Sequence, residues 1–270
     1  MKQIIAITNQ KGGVGKTTTA HALGAALRHA GQRVLYIDMD AQGSLSYAMG
    51  AETPARNNVN DYNGSHYTAG QKGGFPTVLD VLTLKAKATQ AIQHTPSGDL
   101  IAYDPALSGA DMTLDMVGRE YRLRDAIAPI LDAYEWIIID TPPALGVLTV
   151  NALAACTWVV IPAQADVYSL QGIAQLYGTI QAVLTYCNPS LQVKGILLTE
   201  YGGRTILSRD IATLIGEAAK GIGAKLFNTT IRQNVALREA QAKRMDIFTY
   251  APNSNAAHDY TAFLDELLKD

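Results

Sequence analysis

The stretch NQKGGVGKTTTAHAL at residues 9–23 constrains this chain more than any other feature, because a glycine loop carrying a lysine and a hydroxyl works only between a strand and a helix. Both flanks are present. QIIAIT, residues 3–8, is a β-branched apolar run of strand length, and Ala20, Leu23 and Leu27 share one helical face after the loop. The common phosphate-loop pattern G-x-x-x-x-G-K-[ST] fits Gly15, Lys16 and Thr17 but asks for glycine at position 10, where Gln10 stands. In such a loop Gly12, Gly13 and Gly15 let backbone N–H groups converge on phosphate oxygens, the helix starting near Lys16 adds its positive end, and Lys16 adds a full charge. Thr17 is placed to offer its hydroxyl to Mg²⁺. A plain turn would accept the glycines but has no need of Lys16 and Thr17, so the stretch reads as a nucleotide phosphate site. It also holds a second lysine, Lys11, that the common pattern does not require.

Short apolar runs recur down the chain: RVLYID (33–38), DLIAY (99–103), WIIID (136–140), WVVIPA (158–163) and VKGILLT (193–199). Helical patterns separate most of them, near 16–30, 77–93, 121–134, 144–155, 168–186, 205–221, 234–243 and 256–269. That alternation predicts an α/β fold: a single domain over 1–270, with a mostly parallel twisted sheet and helices on both faces. Trp136 and Trp158 each open a strand and read as packing residues. Residues 51–76, rich in Asn, Gly and Tyr and nearly empty of aliphatics, read as a long mobile loop, either responsive to a partner or nucleotide or a tolerated insertion.

Composition narrows the class. A hydrophobic content of 48% with 17% charge is that of an ordinary globular protein, and no apolar run reaches the ~18 residues of a membrane span. Met1-Lys2 leads straight into the first strand without a signal-peptide layout, so a cytoplasmic location is expected. Cys156 and Cys187 form no C-x-x-C pair and the five histidines lack metal-ligand spacing, which leaves Mg²⁺ on a nucleotide as the expected metal.

In open α/β sheets ligands sit beyond the carboxyl ends of the strands, which draws attention to three acids. Asp38 and Asp40 end one apolar run in YIDMDAQGS, and Asp140 ends WIIID before Thr141-Pro142-Pro143. An acid closing such a run can hold Mg²⁺ or its water beside the phosphates; the alternative is a turn cap. Asp38 and Asp40 point in opposite directions along an extended chain and should not share one job: one suits the metal side, the other the attacking water.

Together these residues resemble the ParA/Soj-type partition ATPases, in the deviant Walker group that also includes MinD and the nitrogenase iron protein. The family's K-G-G-x-G-K-T-T stands at Lys11–Thr18, its D-x-D-P-Q-G at Asp38–Gly43 and its D-x-P-P at Asp140–Pro143, while ALGVLTVNAL, VVIPAQADVYSLQGIAQL, TTIRQNVALREA and YAPNSNAAHDY are similar to its later segments. The resemblance implies ATP and Mg²⁺ as cofactors. It implies an ATP site built from Lys11, Gly12, Gly13, Val14, Gly15, Lys16, Thr17 and Thr18, with Thr230, Ile231 and Gln233 near the base. It also implies that Thr17, Asp38 and Asp140 serve the metal, that Asp40 orients the attacking water, and that Lys11 and Lys16 stabilise charge in catalysis. Lys11 is expected to act in trans, reaching the partner's phosphates in an ATP-dependent homodimer. Two positions depart from the pattern: Ala41 replaces a proline, and TEYGGRT (199–205) lacks the aspartate usual before its arginine.

The resemblance further implies nonspecific DNA binding by the dimer, nucleoid association and stimulation by a ParB-type centromere-binding partner, in the service of plasmid or chromosome segregation. The formal net charge is −2, yet residues 200–250 carry eight Lys/Arg against five Asp/Glu. Arg204, Arg209, Arg232, Arg238, Lys243 and Arg244 are therefore the candidate DNA contacts, with a merely solvated face as the alternative. MinD-like membrane attachment is not expected, because DYTAFLDELLKD is acidic. A metabolic ligase on the same scaffold, or a switch that scarcely hydrolyses ATP, are the other readings. The ligase would need an acceptor pocket that no residue cluster announces, and Lys11 and Asp40 argue against the inert switch.

Overall fold

Five-residue aliphatic runs bury every side chain only if helices cover both faces of the sheet they form, and β5 (Trp136–Asp140) and β2 (Val34–Asp38) are buried throughout. A computed structural model describes residues 2–52, 74–203 and 205–269. Its first part runs β1 (Gln3–Ile7), α1 (Lys16–His29), β2, α2 (Ser44–Ala48), α3 (Val78–Leu82), α4 (Ala88–Ala91), β3 (Ile92–Thr95) and β4 (Gly98–Ile101). Then come α5 (Ala110–Thr113), α6 (Arg122–Ile127), β5, α7 (Val147–Ala155), β6 (Trp158–Ala163), α8 (Val167–Tyr186) and β7 (Gln192–Leu198). The chain closes with α9 (Ile206–Gly221), β8 (Leu226–Thr230), α10 (Val235–Ala242), α11 (Ile247–Tyr250) and α12 (Asn255–Leu268).

The strands form one eight-stranded sheet in the order β3-β4-β2-β5-β1-β6-β7-β8. All neighbours are parallel except β3 and β4. Each face carries its own core. Leu123, Leu153, Ile173, Leu176 and Ile215, from α6 to α9, pack on one side; Leu23, Leu27, Ala240, Tyr260 and Phe263, from α1, α10 and α12, pack on the other. Helix α1 lies so close to β2 that a Cβ on Gly24 would fall 2.3 Å from the Tyr36 ring. Trp136 and Trp158 meet edge to face with centroids 5.8 Å apart, as packing residues do.

The expected parallel α/β architecture is observed, with three corrections. The helix expected at 77–93 is broken: a Thr77–Asp80 capping box starts α3, which stops before Leu84 takes a left-handed φ of 61°. Ile92–Thr95 then turns back through a hairpin and pairs antiparallel with β4. The helix expected at 121–134 ends at Ile127 and continues as a 3₁₀ segment, Ala128–Ala133, carrying Pro129 near its start. Strand β8, LFNTT, was not expected, because three of its five residues are polar and leave only Leu226 and Phe227 as an apolar signal. Most of the 51–76 loop lies outside the described residues. At its entry, Glu52 exchanges backbone hydrogen bonds of 2.9 and 3.1 Å with the side chain of Gln93. Among the described residues no helix is long and apolar enough to cross a membrane.

Candidate nucleotide site

Strand β1 lies between β5 and β6, so the loop after it opens at the centre of the sheet's carboxyl edge. Gly13 and Gly15 adopt φ of 75° and 80°, in the left-handed region that a side chain disfavours. A Cβ at Gly12 or Gly13 would meet nothing within 4 Å, so this rim faces open space. Gly15 is also the N-cap of α1, and no side chain caps the helix. The first-turn N–H groups are therefore left for an outside acceptor, and an anion suits both them and the helix dipole.

Lys16 is only 7% exposed, and its Nζ donates to the carbonyl of Lys11 at 3.0 Å. Burial pushes its pKa down, and the charges of Asp140 and Asp40 pull it partly back. A buried ammonium that touches only a carbonyl is primed for an anion. Thr17 Oγ1 donates to Asp140 Oδ2 at 2.7 Å, while the other oxygen of that carboxylate, Oδ1, is buried without a hydrogen-bond partner. Burial raises the pKa of Asp140 well above the carboxylate range, and the charge of Asp38 adds to it. This orphaned oxygen beside a hydroxyl fits a hard divalent cation, which takes oxygen ligands and would offset both costs.

Asp38 and Asp140 are register partners on adjacent strands. Asp38 Oδ2 accepts from Ser46 N and Oγ, both at 2.8 Å, and its Oδ1 accepts from Asp40 N at 3.1 Å. Full burial outweighs these bonds and pushes its pKa up to about 6. Asp40 is half-buried; its Oδ1 accepts from Gln42 N at 2.9 Å, within the turn that leads to Gly43.

Lys11 leaves the loop sideways. Its Nζ donates to Gln164 Oε1 at 3.0 Å and forms an ion pair with Asp166, both in the connection from β6 to α8. Val14 is buried, with its carbonyl accepting from Thr199 Oγ1 at 2.9 Å. Thr18 Oγ1 accepts from Gln241 Nε2 at 3.1 Å, which ties the loop to α10.

Of the residues expected near the base, Ile231 is buried in the core, with its N–H on Leu198 O at 2.8 Å, Thr230 is half-buried at the end of β8, and Gln233 is exposed. The candidate DNA contacts divide. Arg204 lies outside the described residues. Arg232 pairs with Asp259, with Nη2 to Oδ1 at 2.6 Å, and Arg238 with Glu200 at 3.5 Å. Arg209 sits on α9 and donates to Gly203 O at 3.2 Å. Lys243 and exposed Arg244, whose guanidinium lies 4.8 Å from the Tyr47 ring, follow α10 in the opposite layer. Among the described residues, Arg209 and Arg238 thus reach the same 200–203 segment, whereas Lys243 and Arg244 follow α10.

Sequence reasoning missed five supporting residues. Asn9 accepts from Lys11 N and donates to Pro162 O, and Thr199, Gln164, Asp166 and Gln241 hold the loop as described. Asp166 had a weak signal: it follows the apolar run WVVIPA by three residues, just before a helical pattern.

A protein-family model described as an AAA domain matches residues 2–193. The chain is 38% identical to the chromosome partitioning protein ParA of Myxococcus xanthus, over 99% of this chain and 88% of that one. It is 36% identical to the chromosome-partitioning ATPase Soj of Thermus thermophilus, over 98% and 94%. Among solved structures, cobyrinic acid a,c-diamide synthase from Mycobacterium smegmatis with bound ATP analog and magnesium matches with a TM-score of 0.79 and 32% identity, covering 100% of this chain and 95% of that one.

Proposed function

We propose that this chain, which belongs to the Soj/ParA family of partition ATPases, is a dimerising Mg·ATP switch that positions or segregates plasmid or chromosomal DNA. It is a P-loop ATPase, and ATP with Mg²⁺ is its nucleotide. Lys16 and the first-turn N–H groups bind the phosphates, Thr18 orients them, and Thr17 and Asp140 hold the metal with Asp38 behind. Mg²⁺ held there would supply charge neutralisation at the phosphates. Asp40 orients the water that attacks the terminal phosphate.

The observation that carries the dimer is the division of labour between the two lysines. Lys16 occupies the cradle, whereas Lys11 is directed onto the β6–α8 connection and is surplus to its own loop. In a two-fold dimer each Lys11 would serve the other copy's phosphates, a charge in trans of the kind worth about 10³–10⁵ in rate in other phosphoryl-transfer enzymes. The dimer doubles its cationic contacts, binds DNA without sequence preference, associates with the nucleoid, and is discharged by a ParB-type partner.

Solution mass with ADP and with ATP, measured for the wild type and for Asp40→Ala with and without duplex DNA, tests this reading. An ATP-only dimer that carries DNA is expected. A monomer in both nucleotides without DNA would remove it. The second reading, an ATP-dependent ligase, is favoured by the likeness to the M. smegmatis diamide synthase; turnover accelerated by a small carboxylate rather than by DNA and a partner protein would select it.

A further inference from the structure

The resting place of Lys11 is built rather than casual. Asn9 fixes the backbone: its Oδ1 accepts from Lys11 N at 3.0 Å while its Nδ2 donates to Pro162 O at 2.7 Å. Gly172, one turn into α8, leaves the room: a Cβ there would lie 3.2 Å from Asn9 Oδ1 and 3.8 Å from Lys11 Cβ. Gln164 is oriented by its amide nitrogen, which donates to Glu200 Oε2 at 2.9 Å, so Oε1 is the end turned to the ammonium. Asp166 uses one oxygen, Oδ1, to cap α8 through Ser169 N at 3.0 Å, and the other, Oδ2, to pair with Lys11. That contact, with the cap, holds the carboxyl below its usual range despite burial. Directly beyond it Val167 and Tyr168 are 65% and 75% exposed, on the same sheet edge as the phosphate loop.

We infer that Asp166 and Gln164 form a cis dock for Lys11 that must be vacated before a second copy can be engaged. This rests on the reading that Lys11 acts in trans. Asp166 is thus a positioning residue, setting where Lys11 waits and how readily it leaves. The pair is partly exposed, with side chains 23% and 35% accessible, so its strength belongs to the modest class of surface ion pairs, about fivefold in an equilibrium constant. A symmetric dimer breaks it twice, so the two protomers together raise the dimer dissociation constant by roughly twentyfold. The dock thereby suppresses dimerisation of the unliganded protein, and only an anionic nucleotide outbids it.

The test uses the full chain with a slowly hydrolysed ATP analogue, reading the dimer dissociation constant by sedimentation for the wild type, Asp166→Asn, Gln164→Leu and Lys11→Ala. Asparagine caps a helix as well as aspartate does, so Asp166→Asn removes the charge and keeps the cap. The expected result is a tighter dimer, roughly tenfold or more for Asp166→Asn and a few-fold for the charge-neutral Gln164→Leu. Damage to the fold would loosen the dimer, so only a gain counts in favour. An unchanged or weaker dimer in Asp166→Asn overturns the dock, as does tightening in Asp166→Asn without any in Gln164→Leu, which marks simple relief of charge repulsion. Lys11→Ala separates the two readings: a Lys11→Ala protein that dimerises like wild type sinks the trans role itself, whatever Asp166 does.

Discussion

At the scale of single residues the site is a set of electrostatic debts that a nucleotide and its metal would cancel. Lys16 is buried without a carboxylate at hydrogen-bond distance, so Lys16→Ala is expected to abolish ATP binding while leaving the melting temperature of the nucleotide-free protein unchanged or higher; a large loss of stability would contradict the unpaired charge. Asp38 is an acid raised from 3.8 to about 6 on folding, so the folded state binds the extra proton and the metal-free protein loses stability as pH rises through that window. Asp140 is raised in the same direction. Mg·ATP takes the ionised forms, and its affinity is therefore expected to fall as pH drops below about 6, with proton release visible by calorimetry in two buffers. His21 has the opposite sign: burial depresses it from 6.5 to about 4, and its contribution is lost as pH falls through that range. His21→Leu should flatten the acid limb of the stability curve between pH 6.5 and 4. Lys16, Thr17, Asp40 and Asp140 were legible in the sequence because motif and strand end announce them. Gln164, Asn9 and Gln241 were not, since each is an ordinary polar residue until the fold sets it against the loop.

At the scale of elements, α1 carries both the phosphate end and the tightest packing. Gly24 faces Tyr36, and Gly24→Ala forces either the helix or the ring to move, at a cost of about 1–3 kcal/mol, read as a lower melting temperature with nucleotide affinity reduced in step. Helix α10 bears on the same loop through Gln241 and Thr18. The Thr18 hydroxyl accepts from Gln241 and so keeps its own proton for a phosphate oxygen. Gln241→Leu is expected to weaken ATP binding several-fold, without a matching loss of stability; unchanged affinity by titration calorimetry would show the bond to be incidental. The parallel centre of the sheet was readable from apolar, largely β-branched runs, two of which, β2 and β5, end in acids. The edges were not: β3 hides behind a helix-like pattern, and β8 is recruited by backbone pairing with β7 rather than by its own hydrophobicity.

At the scale of the whole molecule, the surface cations belong to two layers, and several are already neutralised by partners in the same chain. On the proposed reading, DNA affinity would depend on doubling whatever cations remain, which would tie it to nucleotide through dimerisation. Lys243→Ala, lost once per copy, should reduce the slope of log affinity against log salt by about 2 in the ATP dimer; an unchanged slope would remove Lys243 from the contact surface. The strand order carries a consequence for synthesis as well. β1 leaves the ribosome before the other strands, but its two neighbours in the sheet are β5 and β6, so the loop that follows it has no walls until residue 163 has been made. At ~5–20 residues per second that wait lasts on the order of ten to thirty seconds. During it the first strand is an unpaired hydrophobic segment in need of shelter, and ATP cannot template the nascent chain, because the cradle it would bind is among the last parts of the sheet's centre to close.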